Sequence, residues 1–210
     1  MRIALIVGFT IILSGCPNTY QLNSLSDSQP LTQPAQFNHP GPLRHDASEL
    51  EFQELYDNFQ RVAALRYDSA GLDVSISYND QWSNCKIYAT FYIYPTPRMN
   101  FFGSPQNVVS SITQGWLNDE FGRTKVQVKL YHPLMQSEVV DSVTTPAQGK
   151  KLNGYSLSYR ETGNISELRL FVYNLKWFLK YRFTYPESCN TEANPRLEKL
   201  IHQLPWAAAQ

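Results

Sequence analysis

Apolar and polar positions divide the chain into three zones. Ile3 to Leu13 is a mainly apolar run of eleven positions behind the basic start Met1-Arg2. Such a run is too short to span a bilayer and has the length of a secretory signal core. From Pro17 to Arg44 the chain is dominated by Ser, Thr, Gln and Asn. It is interrupted by Pro17, Pro30, Pro34, Pro40 and Pro42, and only Asp27 and Arg44 are charged. A stretch of this kind buries too little apolar surface to offset its ordering entropy. Residues 16–45 are therefore expected to form a disordered tether, which as a flexible coil would reach roughly 30 Å. Periodic patterning begins at Asp46, so residues 46–210 are expected to form one globular domain.

Within that domain, Asp46 and Glu49 have the spacing of a capping box, and Leu55, Phe59, Val62 and Ala63 recur at helical spacing, which predicts a first helix. Ala64 to Tyr67 and Leu72 to Tyr78 predict a hairpin around Asp68-Ser69-Ala70-Gly71. From Lys86 to Tyr94, Ile87, Ala89, Phe91 and Ile93 alternate with Tyr88, Thr90, Tyr92 and Tyr94, a strand stopped by Pro95 and Pro97. Ser104, Pro105 and Gly122 bracket a second helix carrying Val108, Ile112, Trp116 and Leu117 on one face. Val126 to Tyr131 and Tyr155 to Arg160 alternate as strands. Glu167 to Tyr173 and Leu175 to Tyr185 predict a hairpin turning near Asn174. Asn194 and Pro195 open a third helix with Leu197, Leu200, Ile201 and Leu204. The connections are too short for repeated parallel crossovers. The expected class is α+β, an antiparallel sheet packed by about three helices after a signal peptide and a disordered tether.

Leu13-Ser14-Gly15-Cys16, placed directly after the apolar run, resembles the lipobox of bacterial lipoproteins. The resemblance implies that residues 1–15 are a lipoprotein signal peptide, that Cys16 becomes the acylated first residue, and that the membrane is a partner through that lipid. Pro17 in place of an aspartate after the cysteine implies, for a Gram-negative source, the outer membrane, with its periplasmic side the expected location. The order of elements over residues 62–206, ending in Tyr-Arg-Phe-Thr-Tyr-Pro, a helix and Leu-Pro-Trp, resembles the PsbP/Mog1-type α+β domain. No ligand or partner residue carries over from that resemblance.

Composition narrows the chemistry. The 210 residues hold 18 Lys+Arg and 18 Asp+Glu, so no overall field would draw the chain to nucleic acid, and no nucleic-acid partner is expected. The three cysteines lack C-x-x-C spacing and the four histidines are scattered, which gives no basis for a metal or cofactor. His39 and His45 are expected to be solvated. With Cys16 assigned to lipid, Cys85 and Cys189 form an even pair in an oxidising compartment, so a disulfide is expected. Neither thiol has a histidine close in sequence, and His132 and His202 are the only candidate bases in the domain. Gly149-Lys150-Lys151 lacks the other elements of a phosphate loop, Ser156 lacks the nucleophile-elbow spacing, and Asp119-Glu120 is expected to be a solvated pair. No catalytic activity is expected.

The remaining surplus is aromatic, with 13 Tyr, 11 Phe and 4 Trp. Tyr88, Tyr92 and Tyr94 fall opposite Ile87, Phe91 and Ile93, while Arg160, Lys180 and Arg182 fall on polar strand faces. Under a helix these tyrosines would be packing. Left open, tyrosines and cations together would form a contact surface for an envelope protein or a cell-wall glycan. The expected function is a monomeric, membrane-anchored binding or assembly component. An envelope enzyme acting on cell-wall material and a purely structural surface lipoprotein are the alternatives.

Overall fold

The computed structural model describes residues 28–38, 40–80, 85–99, 101 and 103–207. Residues 1–15, Cys16 and His39 lie outside them. The chain forms strands β1 (Pro30–Gln36), β2 (Leu43–His45), β3 (Leu50–Phe52), β4 (Leu55–Tyr56), β5 (Phe59–Asp68), β6 (Val74–Asp80) and β7 (Tyr88–Pro95). Helix α1 (Gln106–Tyr131) follows, then β8 (Gln136–Ala147), β9 (Lys150–Glu161), β10 (Asn164–Tyr173), β11 (Trp177–Pro186) and helix α2 (Asn190–Gln203). Nine strands make one antiparallel sheet in the order β1-β5-β6-β7-β11-β10-β9-β8, with β4 beside β5, and β2 and β3 form a separate hairpin.

Period-2 alternation sorts the sheet into two faces. Val74, Ile76, Tyr78, Ala89, Phe91, Ile93, Leu179, Tyr181 and Phe183 point to one side, where α2, the β2–β3 hairpin and Trp206 cover them. Trp206 is fully buried, stacked on Tyr181 at 5.5 Å and edge-on to Phe91 at 5.9 Å. Such aromatic pairs add about 0.5–1.5 kcal/mol each beyond their buried area. Arg196 of α2 pairs with the buried Asp80 of β6 and ties helix to sheet. On the other side Leu157, Leu168, Leu170, Val172 and Phe178 receive Leu117, Phe121 and Val128 of α1.

Cys85, just before β7, is bonded to Cys189, just after β11, with 5.8 Å between the Cα atoms. The expected disulfide is therefore present. The register explains why, since Tyr88 lies opposite Thr184 and brings those strand ends together. Closing a loop of 104 residues restricts the unfolded chain by roughly 4–5 kcal/mol in the chain-entropy account.

The expectation of about three packed helices fails, because the described residues contain two α-helices. The first expected helix is a series of short strands. Its capping-box residues form the β2–β3 turn, in which the Glu49 backbone N–H donates to the Asp46 carbonyl at 3.3 Å and Glu49 adopts φ 61°. The apparent stripe divides, with Phe59 buried while Leu55 and Val62 are exposed.

Gly122 does not end the second helix, which runs on to Tyr131. Leu117, Phe121, Thr124 and Val128 continue a buried helical row, whereas Val126 and Leu130 face solvent at 59% and 73% exposure. A strand over 126–131 would place Val126, Val128 and Leu130 on one side. The third helix begins at Asn190, ahead of the expected Asn194.

The expected disordered tether is also corrected over its second half. Strand β1 pairs with β5, and β2 pairs with β3. Buried Arg61 on β5 holds this segment down. Its guanidinium donates to the Gly41 carbonyl at 2.6 Å, the Phe52 carbonyl at 3.0 Å and Asn38 Oδ1 at 3.0 Å. His45, expected in solvent, is buried between Ser48 Oγ at 2.6 Å and the Gly71 carbonyl at 2.9 Å. Burial lowers its pKa, against hydrogen bonding to Gly71.

Gly154 sits on β9 where the Leu170 carbonyl and the Phe171 ring occupy the space a Cβ would need. Gly154→Ala should lower unfolding free energy by about 1–3 kcal/mol or more, measured as the urea midpoint and slope.

Candidate functional site

Helix α1 lies over β9 and β10 but not over the whole of its face. It reaches the middle of the sheet through Tyr94, whose hydroxyl donates to Glu120 Oε1 at 2.8 Å. Beyond that contact, the same face of β5, β6 and β7 presents hydroxyls paired across strands. Tyr67 meets Ser75 at 2.9 Å and Ser77 meets Thr90 at 3.0 Å. Where helix and open sheet meet there is a groove of about 260 Å³. Tyr92, Lys180, Arg182, Tyr159 and Leu168 line its sheet side, and Thr124, Gln127, Val128, Tyr131 and His132 its other side.

The register of β7 with β11 sets the chemistry. Lys180 is opposite Tyr92 and Arg182 opposite Thr90, so two cations two positions apart on β11 enter the same face as the tyrosines. Lys180 Nζ lies 4.8 Å from the Tyr92 ring centroid and 5.4 Å from that of Tyr94. Burial pulls its pKa below the ordinary lysine value, while Glu120 and Asp73 oppose that change. Burial, reinforced by Tyr67, raises the Tyr92 hydroxyl pKa against the pull of Arg182. Among the described residues neither Lys180 nor Arg182 has a carboxylate within ion-pair distance. Thr124 adds a further open valence, because its Oγ1 is buried and has no hydrogen-bond partner among the described residues. A buried hydroxyl left this way costs about 1–3 kcal/mol, which a ligand atom in the groove would recover.

The six expected contact residues separate on the structure. Tyr92, Lys180 and Arg182 line the groove, and Tyr94 packs at its end against Phe178 and Glu120. Tyr88 is on the same face, 47% exposed, but further along β7. Arg160 belongs to the opposite face, where it pairs with Glu187 at 3.0 Å. Among the described residues, helix α1 therefore covers only part of this row.

Sequence reasoning missed Thr124, Gln127, Tyr131 and Tyr159 as groove residues. Ending the helix at Gly122 hid the first three, although Leu117, Phe121, Thr124 and Val128 share one helical face. His132 has no thiol to serve as a base, because Cys85 and Cys189 are joined in the disulfide. Its Nδ1 lies 2.5 Å from Glu161 Oε2, and the ring is 5.2 Å from that of Tyr159. Of the carboxylates expected to be a solvated pair, Asp119 is exposed, while Glu120 accepts from Tyr94 and pairs with Arg123 at 2.9 Å. Among the described residues no cluster of three or more His, Cys, Asp and Glu is placed to hold a metal ion, and no helix is long and apolar enough to cross a membrane. No known protein family, curated protein or solved structure matches the chain.

Asp73 stands at the groove's margin, with its pKa raised to about 6, first by burial and then by Asp68 and Glu120, against the attraction of Lys180. The folded state holds this proton more tightly than the unfolded chain does. Stability from this group therefore falls as pH rises from about 4 to about 6 and stays reduced above that. Asp73→Asn should raise stability at pH 7.5 by roughly 1 kcal/mol after allowance for solvent screening, with no gain at pH 3.5. Thermal melts of both proteins across that range would check the convergence.

Proposed function

We propose that the chain is a lipid-anchored binding component of the bacterial envelope, held at the periplasmic face of the outer membrane by acylated Cys16. Its groove takes a carboxylate-bearing cell-wall glycan. The anchor reading is supported by the basic start, apolar run and Leu13-Ser14-Gly15-Cys16 in the required order. It is also supported by the disulfide, a bond that persists in oxidising compartments. The observation that carries the ligand class is the groove, where flat tyrosine rings, the Thr124 hydroxyl and two cations that form no ion-pair contact among the described residues converge. Aromatic faces pack against the apolar faces of sugar rings, and cations select the carboxylates that cell-wall peptides add to the glycan. Assembly with an envelope protein through the same face is the second form of this reading.

A specific observation keeps an enzymatic reading alongside it. The His132 imidazole, oriented by Glu161, lines the groove that would hold the glycan. His132→Ala removing turnover of cell-wall fragments while leaving their binding intact would favour the enzyme.

Two measurements test the proposal. Cys16→Ser should abolish incorporation of labelled palmitate and move the protein from the membrane to the soluble fraction; unchanged membrane association would overturn the anchor. The double substitution Lys180→Gln and Arg182→Gln should weaken binding to purified cell-wall fragments at least tenfold and flatten its salt dependence. The melting temperature should change by only a few degrees, and equal binding by both proteins would remove the groove from the reading.

A further inference from the structure

A second cavity lies at one end of the sheet, apart from the groove. It has a volume of about 540 Å³, within the range of small-molecule sites. Leu72, Pro95, Pro97, Met99, Leu175 and Trp177 supply its apolar wall. Arg98 and Lys176 also line it, and among the described residues no acidic residue lines it and neither cation has an ion-pair partner. An apolar hollow bearing two cations complements a molecule with an apolar body and one anionic head.

The β10–β11 turn points the same way. Asn174 and Leu175 both adopt left-handed backbone, with φ 50° and 58°. In this three-residue connection between Tyr173 and Trp177, asparagine tolerates the left-handed backbone at the first position, whereas a larger side chain is strained at the second. Here that position carries a leucine, 38% exposed, whose residue lines the cavity. Thr96 fixes the opposing wall to this turn. Its backbone N–H donates to the Lys176 carbonyl at 2.9 Å and its hydroxyl to the Leu175 carbonyl at 3.0 Å.

The exit of the chain from the sheet bears on the source of the ligand. Pro30, where β1 begins, pairs with Asp68 at the end of β5, and the Ser69 N–H donates to the Gln29 carbonyl at 2.9 Å. The next turn carries Leu72 into the cavity wall. The polypeptide leading back to Cys16 therefore leaves the sheet from the end that holds the cavity. We infer that this cavity binds the chain of a long-chain fatty acid from the membrane, with its carboxylate held by Arg98 and Lys176. The choice of a membrane source rests on the anchor reading above.

Photo-crosslinking of the full chain in lipid nanodiscs with diazirine-bearing hexadecanoate tests the inference, read by mass spectrometry of the labelled peptides. Label is expected within residues 95–99 and 174–177, competed by hexadecanoate at least tenfold better than by hexadecanol. Arg98→Gln with Lys176→Gln should reduce it about tenfold. Leu175→Gly should raise the melting temperature by relieving the turn while lowering the labelling, opposite movements that loss of folding cannot produce. Label scattered over the surface, or equal competition by the alcohol, would overturn the inference. The same probe is applied in solution to the Cys16→Ser full chain. Labelling there keeps the cavity assignment even if the anchor fails. Labelling that appears only after Cys16 is substituted would assign the cavity to the protein's own acyl chain and overturn it.

Discussion

The pairing of β7 with β11 is the constraint on which the rest of the molecule depends. It joins Tyr88–Pro95 to Trp177–Pro186, strands far apart in sequence, at the middle of the sheet. Because side chains alternate with period two, a slip of one residue would turn Leu179, Tyr181 and Phe183 out of the core and carry Lys180 and Arg182 into it. Two things oppose the slip. The aromatic cluster around Phe91, Tyr181 and Trp206 fits only one register, and the Cys85–Cys189 bond fixes the ends that the register brings together. The cation pair in the groove is thus a by-product of the same register that packs the opposite face.

The two faces solve different problems. One is closed by α2, the β2–β3 hairpin and Trp206, and Arg196 of α2 ties the helix to the buried Asp80. The other is covered only as far as Tyr94 by a helix of 26 residues. Past the helix no apolar cover lies on the sheet among the described residues, and its side chains there are Ser, Thr and Tyr, which satisfy one another across strands. The groove exists at this change of cover.

The parts of this arrangement legible in the sequence were those where one short-range signal had no competitor. Trp177 through Tyr185 alternates over a full strand beside the turn at Asn174, so both the hairpin and the side on which Lys180 and Arg182 emerge could be read from it. The cysteine pair followed from parity. What failed was punctuation. Asp46 and Glu49 suit a helix start and a tight turn equally, and the turn wins because Arg61, a residue beyond it, gathers the carbonyls of Gly41 and Phe52. Gly122 suits a helix end, but the apolar surface of β9 and β10 continues beneath it and rewards continuation as helix. Half the groove was lost with that one residue. Strand β8, polar and at the edge, has no periodic signal and is held by pairing with β9.

Strand β1 bears on the mechanics of the proposed anchor. Because ordered pairing starts at Pro30 and hydrogen bonds reach Ser28, only the dozen residues after Cys16 separate a lipid on that cysteine from the sheet. Even drawn straight, such a segment measures on the order of 40 Å. On the proposed reading, a lipid at Cys16 would hold the sheet within that distance of a leaflet, a short leash for a folded body.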